Sequence, residues 1–447
     1  MVGQSTKKSS PNVAAARFDK QGELPNVDRV KNAMTAFAGE FGANASAYMS
    51  ACVHCGLCAE ACHFYKATGD AKYTPIQKLK PFKQTYLREA SPFAPLIRLF
   101  NLVAETKIED LQAWEELIYD SCTLCGRCTL VCPMGIDIAQ LVGEARHGMY
   151  EAGLVPDRLA EITRHAESQH SPFGTKDDFI RTIQEIENKF QIKIPLDQKK
   201  ADILVTTAPG DLEDHQNSIA AITRILDQIG ADWTFSSDAF EATNFGYLSG
   251  NMALQRDLTM RIIDQATKIG ASTLLLPECG HAYSAARWES ADWYGGKTPV
   301  KVLHMVEFLD QLLADNRISV RTVGETATFH DPCQIVRRGG LEQAPRRILQ
   351  ALGYELHELE DHGSFSYCCG GGGGVLANAR AEPLRKKVFE MKRDQVDATG
   401  AEHFITSCGQ CRLTFAKGAA ATQWDKSVES LLELVAENLI AEKGMTE

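Results

Sequence analysis

Thirteen of the fourteen cysteines in this chain fall into three groups. The first group has the spacing C-x2-C-x2-C-x3-C and consists of Cys52, Cys55, Cys58 and Cys62. The second has the same spacing, is followed by Pro133, and consists of Cys122, Cys125, Cys128 and Cys132. The third has the spacing C-x34-CC-x38-C-x2-C and consists of Cys333, Cys368, Cys369, Cys408 and Cys411. Cysteines at these spacings are typical iron–sulfur ligands, so the chain is expected to transfer electrons.

The two four-cysteine runs predict two cubane 4Fe–4S clusters with crossed ligands. In two-cluster ferredoxins three closely spaced cysteines bind one cluster and the fourth binds the other. Cluster 1 is therefore expected to use Cys52, Cys55, Cys58 and Cys132. Cluster 2 is expected to use Cys122, Cys125, Cys128 and Cys62. Gly56 and Gly126 are expected where the loop backbone passes close to sulfide. His63 stands where the ferredoxin pattern has proline.

Zinc and disulfides are the alternatives to iron–sulfur clusters. Zinc sites also use C-x2-C pairs, but they usually combine two pairs that are about 12–20 residues apart. Here each run already contains four cysteines. An even cysteine count could mean seven disulfides in a secreted protein. The tight spacing and the doubled cysteine instead favour reduced thiols that bind metal.

The composition is that of a globular protein of 447 residues, 44% hydrophobic, with a net charge of −11. This length allows two or three domains. The negative charge argues against nucleic acid as a main partner. No apolar stretch approaches the roughly 18–20 residues that span a bilayer, and the polar N-terminus lacks the apolar region of a secretory signal. We therefore expect a cytoplasmic protein, held at the cytoplasmic membrane only through a partner.

The second half of the chain alternates short apolar strands with helical patterns, which predicts parallel sheets with sites at the carboxyl ends of the strands. The predicted strands are residues 203–207, 273–276, 327–330 and 403–406, and the predicted helices are 218–229, 257–269, 344–352 and 383–396. The expected fold class is α+β and multidomain: a helical ferredoxin-like domain followed by duplicated α/β units. The expected divisions are an extension (1–44), a two-cluster domain (45–155), a linker (156–200), and two α/β units (201–320 and 321–447).

The duplication is inferred from an offset of about 123 residues between similar segments. Residues 207–210 match 330–333, residues 245–250 match 368–373, and residues 278–281 match 407–411 after a small displacement. The alternative is chance similarity between short loops. The first copy has kept one cysteine of five, so we expect a structural role for it and a cluster in the second copy.

The run of five glycines from Gly370 to Gly374 follows the doubled cysteine. A phosphate-binding loop is the alternative, but the lysine and the serine or threonine of a P-loop are missing. We expect Gly370 and Gly371 to let the backbone approach a cluster and direct N–H groups at its sulfur.

Two other features have alternative interpretations. Cys279 and His281, in the first copy, could form a catalytic pair beside the third cluster, because a neighbouring imidazolium lowers the pKa of a thiol. Such a thiol could bind a sulfur substrate or an iron; the alternative is a buried cysteine that only packs.

The apolar segment 92–103 could be a core element or a docking surface for a membrane partner.

The cysteine groups, with the segments Cys122–Cys128, His330–Cys333, Cys368–Gly373 and Cys408–Cys411, resemble one family over residues 45–420. It is the CCG-domain iron–sulfur oxidoreductases typified by the catalytic subunit of heterodisulfide reductase, and it includes the K subunit of the membrane complex associated with sulfite reduction. The resemblance implies a third, noncubane 4Fe–4S cluster that uses all five cysteines of the last group and acts on a disulfide or thiol. The loss of four cysteines from the first copy departs from members with two such sites.

The resemblance also implies partners, either a membrane cytochrome b-like subunit or a flavoprotein, since no flavin or haem motif is recognisable here. The first functional hypothesis is an electron-transfer subunit of a heterodisulfide-reductase-like complex. The alternative is a relay from a flavoprotein dehydrogenase, linked to 2-hydroxyacids or to electron-transfer flavoprotein, to the quinone pool. A redox sensor is disfavoured, because a sensor needs only one cluster.

Overall fold

The computed structural model describes residues 20–39, 43–172, 174–208 and 210–440. Helices and parallel strands both occur, as expected for the coarse fold class, and no helix in these ranges is long and apolar enough to cross a membrane. Residues 1–19 of the predicted extension lie outside the described residues, as does Pro209 of the predicted repeat.

The N-terminal half is helical. Its α-helices are α1 Asn26–Gly39, α2 Ala43–Ala51, α3 Leu57–Ala61, α4 His63–Thr68, α5 Pro75–Lys78, α6 Lys80–Thr85, α7 Ala94–Leu99, α8 Ile108–Glu115, α9 Arg127–Leu130, α10 Ile138–Glu151, α11 Asp157–Gln169 and α12 Lys176–Phe190. Helix α1 packs along α10. Between them, Phe37 makes edge-to-face contacts with Phe82 and Trp114, each at 5.6 Å between ring centroids. These buried rings stabilise the helical half.

The second half of the chain contains two four-stranded parallel sheets. Their strands are β1 Ile203–Val205, β2 Trp233–Phe235, β3 Thr273–Leu276, β4 Lys301–His304, β5 Thr326–His330, β6 Glu355–Leu356, β7 His403–Thr406 and β8 Val428–Ser430. The strand orders are β2-β1-β3-β4 and β6-β5-β7-β8. The shared order is what a duplicated α/β unit would give.

The helices of the two units are α13 Gln216–Gln228, α14 Phe245–Ser249, α15 Met252–Lys268, α16 Gly280–Ser284, α17 Ser290–Tyr294, α18 Met305–Ala314, α19 Gln343–Ala351, α20 Glu382–Thr399, α21 Gly409–Thr422 and α22 Leu431–Glu437. Helix α13 of the first unit packs on α22 of the second, and α18 packs on α19. Residues of both sheets, including Val205 and Phe329, belong to one hydrophobic core. This shared core fixes the positions of the two sets of strand ends relative to each other.

The four predicted strands and the helix patterns of the second half correspond to observed elements, but β2, β4, β6 and β8 were not predicted. The segment that we expected to be a linker contains α11 and α12. Helix α12 begins with a capping box between Thr175 and Asp178, and its apolar face is buried in the shared core.

The apolar segment 92–103 is not a core element. Its large side chains are exposed, from 52% to 73%, on and around α7: Phe93, Leu96, Leu99, Phe100 and Leu102. The packing interpretation is therefore wrong for these five residues, whereas a docking role stays a prediction.

Candidate metal sites

The first cavity lies between α3 and the start of α10, and four thiols line it: Cys52, Cys55, Cys58 and Cys132. It encloses about 460 Å³ of atom-free space, and apolar side chains such as Leu79 and Ile136 form much of its wall. Cys55 is exposed, while Cys58 is buried. Burial and the neighbouring thiols raise the pKa of Cys58 to about 11. The cavity is thus open to the surface at Cys55 and covered at Cys58.

The second cavity lies next to it and is lined by the thiols of Cys62, Cys122, Cys125 and Cys128. It encloses about 380 Å³. The ammonium of Lys78, fully inside the protein, lies 3.4 Å from the Cys62 sulfur and also donates to the carbonyl of Ser121. Burial lowers the pKa of Lys78, but the thiols of Cys62 and Cys122 outweigh this and raise it above its usual value. The positive charge of Lys78 at this position stabilises the deprotonated sulfurs of Cys62 and Cys122.

The two cysteine loops have the same backbone conformation. His54 and Leu124 occupy equivalent places and have φ of 53° and 56°. Gly56 and Gly126, two residues later, have φ of 84° and 74° and precede α3 and α9. Left-handed conformations cost little for glycine and more for other residues, so their recurrence indicates that each loop must turn in this way around its cavity.

The third group of cysteines is buried at the carboxyl ends of β5 and β7. Cys333, Cys368, Cys369, Cys408 and Cys411 are all 2–8% exposed. The sulfurs of Cys333 and Cys368 lie 3.9 Å apart. One ligand atom each from His330, Cys369 and Cys411 lies within 4.8 Å of the others. The sequence analysis did not predict a ligand role for His330, although its place at a strand end, three residues before Cys333, could have indicated one.

The glycine run packs closely around these cysteines. Gly370 has φ of 88°, and a Cβ there would lie 2.9 Å from Val388. A Cβ on Gly371 would overlap the Thr414 hydroxyl. Among the causes that lower the pKa of Cys369 well below its usual value are the Cys368 and Cys411 thiols and, more weakly, the N–H of Gly371. The backbone therefore runs directly beside the Cys369 sulfur.

The second cavity and the third cysteine group adjoin each other. The Cys125 side chain packs against the buried cluster that contains Cys333, Cys368 and Cys369, and the Cys368 thiol is the largest cause of the raised pKa of Cys125. The amide of Gln334 donates to the carbonyl of Leu124, and Arg337 donates to that of Cys125, both at 2.8 Å. Gly373 packs so closely on Thr123 that a Cβ would lie 2.7 Å from its backbone. The loop around the second cavity is thus held against the last α/β unit.

Cys279 lies where the ends of β3 and β7 meet, since the N–H of Gly409 donates to the carbonyl of Glu278 at 3.0 Å. Burial raises the pKa of Cys279 above its usual range, and Cys408 is among its charged neighbours. Burial lowers the pKa of His281 to about 4. His281 is therefore neutral near pH 7 and does not supply the imidazolium that we expected beside Cys279. The roles of both residues stay predictions.

The donor sets fit iron–sulfur clusters. All fourteen cysteines are free thiols, and four of them line each of the first two cavities. Thiols must lose their protons to bind metal, which burial alone opposes. Cations near the sulfurs favour that loss: Lys78 beside the second cavity, Arg337 beside Cys333, and Lys392 near Cys368. The sequence did not indicate Lys78 and Lys392, because they are distant in the chain from the cysteines that they face. Arg337 was also missed, although it follows Cys333 by four residues.

Comparison with known proteins agrees with these sites. Residues 48–136 match the 4Fe-4S dicluster domain, and residues 327–416 match the CCG cysteine-rich domain. The chain is 28% identical over 383 residues to the Hdr-like menaquinol oxidoreductase iron-sulfur subunit 2 of Archaeoglobus fulgidus, covering 74% of this chain and 68% of that protein.

Two further relatives differ in the activity that they are named for. A subunit of the dihydromethanophenazine:CoB–CoM heterodisulfide reductase of Methanosarcina barkeri is 26% identical, over 88% of this chain and 94% of that protein. The EtfAB:quinone oxidoreductase of Syntrophomonas wolfei is 25% identical, over 85% of this chain and 56% of that protein.

Proposed function

We propose, for this CCG-domain iron–sulfur oxidoreductase of the heterodisulfide-reductase-like type, that electrons pass through three cluster sites in spatial order. The sites are the first cavity, the second cavity and the five-cysteine group. The packing of Cys125, from the second site, against the buried cluster that contains Cys333 and Cys368 of the third carries this proposal. When bound, 4Fe–4S clusters supply one-electron transfer. The protein positions their thiolate ligands, and it buries the five cysteines of the third site most completely.

The first two sites are connected through short segments. Cys58 on α3 faces the first cavity, and Cys62, directly after that helix, faces the second. Cys128 on α9 faces the second cavity, and Cys132, two residues after that helix, faces the first. This arrangement supports the crossed ligand sets: Cys52, Cys55, Cys58 and Cys132 for cluster 1, and Cys122, Cys125, Cys128 and Cys62 for cluster 2.

The third cluster is proposed to be a 4Fe–4S cluster of noncubane type that uses all five cysteines of the last group. Gly370 and Gly371 line it with backbone. The first α/β unit, which lacks four of the five cysteines, then serves to support the second. The low exposure of the five cysteines supports a site shielded from water, where cations such as Lys392 offset negative charge.

An external redox subunit is proposed to contact the chain at the first site. Cys55 is the one exposed ligand candidate among the described residues. Val53 and Leu57, each two residues from it in the sequence, and Met134, which lines the same cavity, have exposed apolar side chains. Exposed apolar groups at a site of electron entry suit a protein partner. We propose that this partner holds the chain at the cytoplasmic face of the membrane.

At the third site the proposed reaction is reduction of a disulfide. Two electrons delivered one at a time from the partner, with two protons from solvent, cleave the S–S bond and yield two thiols. Cys279 and His281, beside Cys408, are proposed to border the place where the sulfur substrate approaches. The similarity to the heterodisulfide reductase subunit supports this reaction.

The second candidate is a relay without its own substrate, from a flavoprotein to a quinone-reducing subunit. Two observations favour it: the similarity to the EtfAB:quinone oxidoreductase, and the burial of every cysteine in the third group.

The two candidates are separated by one assay on protein purified without oxygen. In the first arm reduced viologen is the donor and a small organic disulfide is the acceptor. In the second arm a reduced flavoprotein is the donor and a soluble quinone is the acceptor, and the same mixture without this chain is the blank. Thiol formation that is lost in Cys333→Ala supports disulfide reduction. Quinone reduction without thiol formation supports the relay. Electron uptake at only two clusters would contradict the three-site route itself.

A further inference from the structure

His330 ends β5 in the interior of the second α/β unit. Its side chain is 0% exposed, and its carbonyl accepts a hydrogen bond of 3.0 Å from Thr406, its register partner on β7. The imidazole meets Phe415 edge to face at 4.8 Å between ring centroids. The backbone pairing and the aromatic contact fix where the ring lies.

Both ring nitrogens of His330 are buried without a hydrogen-bond partner among the described residues. Leaving a buried polar group unpaired is energetically unfavourable, and imidazole has two such groups. His304, at the end of β4, is equally buried but accepts a hydrogen bond from the N–H of Val306. One ring nitrogen of His304 therefore has a hydrogen-bond partner, whereas neither ring nitrogen of His330 has one among the described residues.

The sulfurs of Cys369 and Cys411 are the candidate ligand atoms nearest to that imidazole. One ring nitrogen and the two sulfurs lie within 4.8 Å of one another. In the first unit, Thr207 stands at the place that corresponds to His330, and the cysteines that match Cys333, Cys368 and Cys369 are missing. The imidazole thus occurs in the unit that has the thiols and is replaced in the unit that lacks them.

We propose that His330 is an iron ligand of the third site, through one imidazole nitrogen, in addition to the thiolates. This proposal rests on the proposed third cluster. Neutral imidazole is an established iron–sulfur ligand, since two histidines replace two cysteines in Rieske centres and raise the potential. Coordination would give one of the two unpartnered nitrogens a bond to iron. It would also explain the presence of an imidazole among thiols in a buried site.

The test uses nitrogen hyperfine spectroscopy on the full chain, produced with 15N-labelled histidine and purified without oxygen. In the redox state in which the third cluster is paramagnetic, we expect a strongly coupled histidine nitrogen. The coupling should disappear in His330→Leu and persist in the matched variant His304→Leu. The midpoint potential of the third cluster should shift in His330→Leu and stay unchanged in His304→Leu, because only the first variant alters the ligands of an iron.

The outcomes separate this inference from the proposed function. About twelve irons in the wild-type chain, with no strongly coupled histidine nitrogen, would overturn the ligand role and leave the three-cluster route standing. About eight irons, with the third site devoid of iron, would overturn the proposed third cluster. If His330→Leu fails to fold, the coupling in the labelled wild-type protein still decides between ligand and non-ligand.

Discussion

Arg146 on α10 donates a hydrogen bond of 2.7 Å to the carbonyl of Gly373, in the glycine run of the last α/β unit. The same guanidinium, 0% exposed, donates to the carbonyls of Ile118, Cys122 and Leu248. One side chain thus joins the helical half, the first α/β unit and the second. These contacts hold the second cluster site against the third.

Replacing Arg146 with methionine should destabilise the protein by roughly 4 kcal/mol, because several buried carbonyls lose a charged donor at once. Urea unfolding of the anaerobic protein measures the effect. Arg158→Met is the matched control, since that arginine forms an exposed pair with Glu161 on α11 and should change stability by less than about 1 kcal/mol. Equal losses in the two variants would contradict a structural role for the buried contacts.

Crossed ligation predicts which cluster each fourth cysteine supports. Cys132→Ser should impair the cluster held by the first cysteine run, and Cys62→Ser the cluster held by the second, because each thiol lines the other run's cavity. Electron paramagnetic resonance of the reduced proteins distinguishes the two signals, and iron analysis should show losses of up to about four irons per variant. Damage confined to each cysteine's own run would show that the ligands do not cross.

Replacing Gly373 with alanine should increase the distance between the second and third cluster sites. The added Cβ would lie 2.7 Å from the backbone of Thr123, and the residue has φ of 64°. We expect slower electron transfer to the third cluster in stopped-flow reduction, with the first two clusters reduced at the usual rate. Gly69→Ala is a matched control, because Gly69 has φ of 69° and open space around its Cβ position. A rate change of the same size in both variants would point to backbone strain and not to the lost contact.

Cys279→Ala should leave the iron content unchanged. Burial keeps the thiol protonated, and the buried His281 is neutral near pH 7, so neither residue has the charge state that a reactive pair needs. Iron analysis and the disulfide assay measure the two proposed roles separately. Lost iron would identify Cys279 as a ligand, and lost thiol formation with full iron would identify it as a substrate-binding residue.

Glu241 should make stability fall with rising pH. Burial raises the pKa of this carboxyl to about 7, although hydrogen bonds from the Thr243 hydroxyl and N–H oppose the shift. The folded state therefore binds more protons than the unfolded state between about pH 4.5 and 7, and up to roughly 3 kcal/mol is lost as the pH rises through that window. Urea unfolding at pH 5 and pH 7.5 should show a smaller difference in Glu241→Gln. The exposed Glu161→Gln should behave like the wild type.

The secondary structure was predictable where the periodicity was strong. Strands β1, β3, β5 and β7 lie at the centre of each sheet. The first two are apolar runs and the other two are rich in β-branched and aromatic residues, so their sequences are distinctive. The edge strands β2, β4, β6 and β8 are two to four residues long, and several resemble turns or helix starts in the sequence. The segment 156–200 was expected to be a linker because its charges dominate its composition. The buried face of α12, with Phe179, Ile183 and Ile186, becomes evident only through its packing.

The sequence by itself determined the chemistry of this protein, because ligand type and short-range spacing are local properties of the chain. Cysteines separated by two or three intervening residues lie close together whatever the fold, and only a few metal centres accept that pattern. The tertiary structure alone decided which distant groups join them. Lys78, Arg146 and His330 reach the sulfurs or their loops through helix packing and sheet register, and those contacts depend on how the whole chain buries its apolar surface. The same packing places Cys125 against the buried cluster that contains Cys368, across 242 residues of sequence that carry no local signal of this proximity.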